Sequence, residues 1–394
     1  MKKAYMDNAS MTPVLPEVRE VMLPFFGEYF GNPSSLHQWG DAGREALDVA
    51  RTQVSALIDG SGGEVIFTSC GTESNNLAIK GLARAREKVG KHIVISEIEH
   101  FSVQHSARTM EKMGFKVTMV PVDKNGVVSP EAMAKAIRDD TALVSVMLAN
   151  GEVGTIQPIK EIAAFTRARK IPLHTDAIAA VGNIAVDVVE LGVDALSLAA
   201  NQFYGPSGVG ALWVRKGVTL IPLLDGGIQE GGRRSGTENV AGIAGLGKAA
   251  EIAARDIPAR IKYLEPLRDK LLRELPKALG HTIVTGHPTH RLPGHASFCV
   301  EFIEGESMMM MLDSKGIAVS SGSACASKAL KASHVLIAMG LSHEIAQGSV
   351  LFAMGQDNTE ADIDYILEVM SPIVERLRQM SPLYAKYLKE NNRR

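Results

Sequence analysis

The stretch "ALSLAANQFYGPSGVG", residues 195–210, joins a predicted strand to a turn. Its first half is an apolar run typical of a buried strand, and its second half is a glycine-rich turn. A further strand is predicted after the turn, over 208–216. Five similar runs precede this stretch: "EVIFTS", "HIVISEIEH", "KVTMVPV", "ALVSVMLAN" and "IPLHTDA". Helical patterns separate them, at 72–88, 101–113, 130–138 and 158–169. The alternation predicts an α/β fold with a mostly parallel sheet covered by helices on both faces.

The last third of the chain has a different pattern. An alanine-rich helix is predicted from about Thr237, and after about residue 256 come two long charged helices and the short strands "HASFCVEFI" and "IAVSS". These elements predict a smaller α+β domain. A chain of 394 residues is long enough for two domains.

Composition narrows the class of protein. The net charge of −2 gives no electrostatic reason to expect nucleic acid or an anionic membrane as a partner. No apolar run approaches the roughly 20 residues that span a bilayer, and the N-terminal "MKKAYMDNAS" does not resemble a signal peptide. Three cysteines in so long a chain argue against a disulfide scaffold, so we expect a cytoplasmic protein.

Candidate site residues lie directly after the predicted strands, where open α/β sheets bind ligands. The segment "SCGT", residues 69–72, precedes a helix and offers backbone N–H groups to an anion, although many helices begin in this way. His100 follows a strand and is either a packed or surface histidine or a functional one. Asp176 ends a buried strand and needs a partner, either a cationic ligand nitrogen or a backbone N–H.

One cysteine is predicted to be chemically available. Cys325 lies in the run of small residues "SSGSACASKA" (320–329), which predicts a mobile, exposed loop. Cys299 lies in a strand pattern and is predicted to belong to the core.

The chain resembles the cysteine desulfurases of the NifS/IscS type, which belong to the class-V aminotransferase-like, fold-type I pyridoxal-phosphate (PLP) proteins. The similarity runs nearly end to end and includes "IFTSCGTESNNLAIKG", "GEVGTIQPI", "YGPSGVGALWV", "GRRSGTENVAGI" and "SSGSACAS". It implies a homodimer whose large domain, at 14–255, contains a mostly parallel seven-stranded sheet. It also implies a small α+β domain formed by 1–13 and 256–394.

The resemblance assigns a role to individual residues. Cys325 matches the cysteine that takes sulfur as a persulfide and passes it to a scaffold protein. Asp176 matches the partner of the PLP ring nitrogen, Asn150 faces substrate and cofactor, and Thr237 reaches the phosphate of the neighbouring subunit's cofactor. The remaining residues implied to surround PLP are Cys70, Gly71, Thr72, His100 and Gln202.

Several positions depart from the family pattern. Gln202 stands where the family has the lysine that forms the Schiff base with PLP, and an amide cannot form an imine. Leu351 stands at the arginine for the substrate carboxylate. Further departures are at Gly151, Ala179, Ala199, Asn201 and Gln356.

These departures lead to an expectation that PLP-dependent desulfuration has been lost and that PLP is not covalently bound. Cys325 would then act as a ligand of an iron–sulfur cluster, or as a persulfide acceptor, together with an IscU-like iron–sulfur scaffold protein. One alternative is an active desulfurase with non-covalent PLP. A second alternative is a different thiol or metal chemistry at Cys70, Cys325 and His100.

Overall fold

The computed structural model describes residues 3–321 and 332–391, so Cys325 lies outside the described residues. The strands are β1 (Ala4–Tyr5), β2 (Gly63–Thr68), β3 (His92–Ser96), β4 (Lys116–Val120), β5 (Thr141–Ser145), β6 (Leu173–Asp176), β7 (Ala195–Ala199), β8 (Gly210–Arg215), β9 (Thr282–Val284), β10 (His295–Val300), β11 (Ile317–Ala318) and β12 (Ser349–Ala353). The α-helices are α1 (Pro16–Met22), α2 (Asp41–Leu57), α3 (Gly71–Ala85), α4 (Phe101–Lys112), α5 (Pro130–Ala136), α6 (Ile159–Ala168), α7 (Val188–Leu191), α8 (Val240–Leu279), α9 (Gly305–Asp313), α10 (His334–Ala338), α11 (His343–Gln347), α12 (Glu360–Met380) and α13 (Pro382–Asn391).

The main sheet has seven strands in the order β2-β8-β7-β6-β5-β3-β4. Strands β7, β6, β5, β3 and β4 run parallel, and β8 is antiparallel to both of its neighbours. The predicted α/β fold with a mostly parallel seven-stranded sheet is therefore confirmed. The apolar runs became strands because their side chains are buried on both faces of the sheet.

Helices cover both faces of this sheet. One apolar core includes Val54 of α2, Ile162 of α6 and Leu246 of α8. On the opposite face, α3 and α4 contribute Leu77 and Ala107 to a second core. The strand register places the ends of β2 and β7 at one edge, since Gly210 pairs with both Thr68 and Ala199. The residues that follow the parallel strands therefore lie together at this edge, which is formed by the carboxyl-terminal ends of the strands.

A smaller sheet of order β12-β10-β9 is antiparallel, and β1 pairs in parallel with β11. Its core contains Phe298, Phe352 and Ile366. Helix α8 supplies residues to both cores, Leu246 to that of the large sheet and Leu271 to this one. The prediction of a separate helix after residue 256 is wrong, because α8 is one helix of 40 residues.

The described residues contain no helix whose length and apolar character would let it cross a membrane.

Candidate active site

The N-terminus of α3 offers backbone donors at the edge of the main sheet. Ser74 is the first residue whose amide bonds within the helix, to the Cys70 carbonyl at 3.1 Å. The amides of Gly71 and Thr72 precede it and have no intrahelical acceptor. A Cβ atom on Gly71 would lie 2.2 Å from the Ile178 side chain, so a larger residue at position 71 would require that side chain to move. This end of α3 can accept an anion.

Cys70 lies at the N-cap of α3 in extended backbone and is exposed. Its sulfur contacts the Ser69 hydroxyl at 3.7 Å. Nearby, Glu73 accepts the Ser69 amide at 2.7 Å and pairs with Arg234 at 2.8 Å. This ion pair connects α3 to the loop that contains Thr237. The Thr237 side chain itself is exposed.

Asp176 ends β6 and is buried, with a 5% exposed side chain. Its Oδ1 accepts the Ile178 amide at 3.0 Å, and its Oδ2 accepts Asn75 Nδ2 at 2.6 Å. Burial raises the pKa of Asp176, while the nearby His100 acts in the opposite direction. Both kinds of partner expected for Asp176 are thus compatible with the site. A backbone N–H donates to one carboxylate oxygen, and a cationic ligand nitrogen would lower the free-energy cost of burying the charge.

His100 is the N-cap of α4 and is exposed. Its Nδ1 accepts the Ser102 amide at 3.1 Å and lies 2.7 Å from the Ser102 hydroxyl. The ring lines a groove of about 310 Å³ together with Thr72. The groove therefore joins the end of α3 to the end of β3.

Glu99 precedes His100 and is completely buried. Its Oε1 accepts the Ser96 hydroxyl at 2.5 Å and the Met147 amide at 2.9 Å. Burial raises the pKa of Glu99 to about 8, and the charge of Asp176 acts in the same direction. Glu99 is thus a neutral acid beneath the site at neutral pH.

Asn150 is buried and shapes the turn after β5. Its Oδ1 accepts the amides of Glu152 and Val153, each at 2.9 Å, and its Nδ2 lies 3.3 Å from the Ile98 carbonyl. The next residue, Gly151, is close to Ala179, since a Cβ on Gly151 would lie 3.6 Å from that of Ala179. The turn after β5 therefore faces the turn after β6.

The side-chain amides of Asn201 and Gln202 donate hydrogen bonds to the N-terminal segment of the chain. Gln202 Nε2 donates to the Ala9 carbonyl at 3.0 Å, and Asn201 Nδ2 lies 3.3 Å from the Ser10 carbonyl. In addition, the backbone carbonyl of Asn201 accepts the backbone amide of Thr12 at 2.9 Å. The same segment bonds to Ala353 of the small sheet through Asn8 Nδ2 at 2.9 Å. These side chains therefore link the main sheet to the small one.

Leu351 belongs to β12 and is 4% exposed. It exchanges backbone hydrogen bonds with Ser320, at 2.8 and 3.2 Å. Position 351 thus lies beside the described start of the segment that contains Cys325.

The other two cysteines differ in environment. Cys299 is buried in β10, as predicted, and burial raises the pKa of its thiol to about 12. Cys70 is exposed. Within 3–321 and 332–391, no three His, Cys, Asp or Glu side chains are grouped so that they could hold a metal ion.

The structure brings the predicted residues Cys70, Gly71, Thr72, His100 and Asp176 to one edge of the main sheet. Three residues that organise this edge are not among those predicted from the sequence: Asn75, Glu99 and Ser102. Asn75 could have been found, since it lies four residues after Gly71 and so shares a helix face with it.

Comparisons with known proteins give a consistent result. The aminotransferase class-V family matches residues 4–366. Cysteine desulfurase IscS of Methanosarcina thermophila is 50% identical over 98% of this chain and 95% of the relative. Cysteine desulfurase IscS 1 of Archaeoglobus fulgidus is also 50% identical, over 97% of this chain and all of the relative. A solved NifS-like protein superposes with a TM-score of 0.89 at 38% identity, over 95% of this chain and all of that one.

These relatives overturn the expectation that PLP-dependent desulfuration has been lost. That expectation rested on individual positions such as Gln202 and Leu351, whereas half of all residues agree with curated cysteine desulfurases over the whole chain. The alternative of an active desulfurase is better supported.

Proposed function

The chain belongs to the class-V aminotransferase family and is a homologue of its cysteine desulfurases, and we propose that it is a PLP-dependent cysteine desulfurase. L-Cysteine and a protein thiol would yield L-alanine and a persulfide, so the sulfur atom is transferred and no external oxidant is needed. The observation that carries this proposal is the 50% identity to curated cysteine desulfurases along 98% of the chain.

The described residues fit PLP at two points. The buried Asp176 carboxylate would pair with the ring nitrogen, and the unpaired amides at the start of α3 would hold the phosphate. PLP, when bound, supplies an electron sink for carbanion chemistry at the substrate Cα. Gln202 has no amine, so in this proposal PLP is held without a covalent bond to that residue.

Cys325 is proposed as the thiol that accepts the sulfur, by the family resemblance. Cys299 is a poor alternative, since its buried thiol has a pKa of about 12 and persulfide transfer requires a thiolate. Cys70 is the exposed alternative at the site itself. Labelling persulfides after incubation with L-cysteine distinguishes them. We expect Cys325→Ser, and not Cys70→Ser, to abolish the label.

We also propose that the protein forms a homodimer and passes sulfur to an IscU-like iron–sulfur scaffold protein. Large apolar side chains are exposed on one chain, including Leu23, Phe26, Phe30, Leu36, Trp39 and Ile228. Exposed apolar side chains of this size support burial against a second copy. Light scattering at micromolar concentration tests this, and a monomer would contradict it.

The activity is tested by incubating the protein with L-cysteine and PLP and measuring alanine, with PLP alone as the background. We expect alanine formation well above that background. Asp176→Asn should weaken PLP binding at least about tenfold, because it removes a hydrogen bond to a charged partner. Asp139→Asn, at an exposed position, serves as the control. Alanine formation no faster than with PLP alone would overturn the proposal.

A further inference from the structure

We propose that Asn75 and Ser102 are positioning residues that hold the neutral ring of His100, which lines a groove with Thr72, as an Nε2–H hydrogen-bond donor. This inference deepens the proposed function, and its relevance to catalysis rests on that function. It is carried by a chain of hydrogen bonds from Asp176 through Asn75 and Ser102 to His100.

The first link is Asn75, which is completely buried. Its Nδ2 lies 2.6 Å from Asp176 Oδ2 and 2.8 Å from Ser102 Oγ. A carboxylate only accepts hydrogen bonds, so the Asn75 amide group, and not its carbonyl, must face Asp176. An amide nitrogen carries two hydrogens. Both are therefore used, one for each partner, and Asn75 Oδ1 has no hydrogen-bond partner among the described residues.

The second link is the Ser102 hydroxyl. Because it accepts a hydrogen from Asn75, its own hydrogen is free to donate to His100 Nδ1, at 2.7 Å. The backbone amide of Ser102 also donates to Nδ1, at 3.1 Å. Two donors converge on one ring nitrogen, so Nδ1 carries no hydrogen. The neutral ring then has its single proton on Nε2.

This tautomer decides what His100 can do. Nε2–H can donate a hydrogen bond to an oxygen or nitrogen of a bound molecule, and it cannot remove a proton from one. A neutral imidazole at a helix N-terminus is suited to such donation. His100 is exposed and lines a groove with Thr72 at the N-terminus of α3, so a molecule bound in that groove can reach the ring. The same chain of bonds orients the Asp176 carboxylate, which links the two functional side chains.

The decisive experiment is NMR of the full-length protein with ¹⁵N-labelled histidine, in which His100→Gln identifies the His100 signals. At neutral pH and without PLP, we expect the neutral ring to show the Nε2–H tautomer. Ser102→Ala should shift the Nδ1 resonance because the hydroxyl donor is lost, and Ser102→Thr should restore it. The matched control is Ser106→Ala. Ser106 lies on the same helix and is 2% exposed, and its hydroxyl has no partner among the described residues. An Nδ1–H tautomer in the unmodified protein, or equal effects of Ser102→Ala and Ser106→Ala, would overturn the inference.

A second measurement tests the link to Asp176. PLP titration followed by absorbance should show about tenfold weaker binding by Asn75→Ala, since the carboxylate loses an orienting hydrogen bond, with no change in Asp139→Asn at an exposed position. Equal affinity of the Asn75→Ala variant and the unmodified protein would contradict the link. The NMR result needs neither PLP nor L-cysteine. An Nε2–H tautomer in a protein without desulfurase activity would uphold the inference on His100 and reject only the proposed function.

Discussion

Replacing Glu99 by glutamine should remove a specific part of the pH dependence of stability. In the folded protein the pKa of Glu99 is raised to about 8, because the side chain is completely buried. In the unfolded chain the pKa is near its ordinary value of about 4.5. Between these two values the folded state holds a proton that the unfolded state releases. Stability due to Glu99 is therefore present at low pH and falls as the pH rises.

The magnitude follows from the two pKa values. Between the two pKa values, each unit of rising pH lowers the free energy of unfolding by about 1.4 kcal/mol. The loss of stability between pH 5 and 8 is therefore about 4 kcal/mol. The side chain introduced by Glu99→Gln would keep an oxygen that can accept the Ser96 hydroxyl and the Met147 amide, and it has no titrating proton. The Glu99→Gln variant should thus become more stable, relative to the unmodified protein, by about 1.4 kcal/mol for each unit of rising pH.

Urea unfolding at pH 5, 6, 7 and 8, followed by circular dichroism, measures this difference. The control is Glu111→Gln, since Glu111 is exposed on α4. The absolute stability of Glu99→Gln is not the test, because the new NH₂ group needs partners of its own. If the curves of Glu99→Gln and the unmodified protein stay parallel from pH 5 to 8, the reasoning is refuted.

Two further predictions concern side chains that connect elements of the fold. His174→Asn should destabilise the protein by about 2–3 kcal/mol near pH 7 in urea unfolding, because the ring bridges the hydroxyls of Ser145 and Ser197 at 2.8 and 2.9 Å. Burial lowers the pKa of His174 to about 3, so its contribution falls below pH 6.5, and an unchanged difference at pH 5 would count against this explanation. Gln202→Ala should cost about 1 kcal/mol, measured in the same way, because the Ala9 carbonyl loses its donor. Gln202→Glu, which has no N–H, should cost at least as much, and equal stability of all three proteins would contradict the proposed link.

The strands and most helices of the main sheet could be predicted because their signals are local. Buried parallel strands need continuous apolar runs, and the intervening helices need a period of about 3.6 residues. The continuity of helix α8 could not be predicted, because the sequence becomes more charged after about residue 256 and three prolines, Pro258, Pro266 and Pro276, lie inside the helix. Packing against both apolar cores keeps it continuous.

The candidate site was predictable only in part. Asp176 and His100 were found because ligands bind where parallel strands end. The sequence presents Gln202 only as a replacement for the lysine of the family, whereas in the structure its side-chain amide donates to the Ala9 carbonyl, 193 positions away in the sequence. No local pattern reports such a contact.

Periodicity and motifs a few residues long were enough to predict the family, most of the succession of strands and helices, and the residue types that follow each strand. Which side chains share hydrogen bonds became visible only in the folded chain. Asn75 and Asp176 are 101 residues apart in the chain, yet their side chains lie 2.6 Å apart. The neutral state of Glu99 and the tautomer of His100 follow from such contacts. Burial and hydrogen-bond geometry set protonation, and both arise only when distant segments pack together.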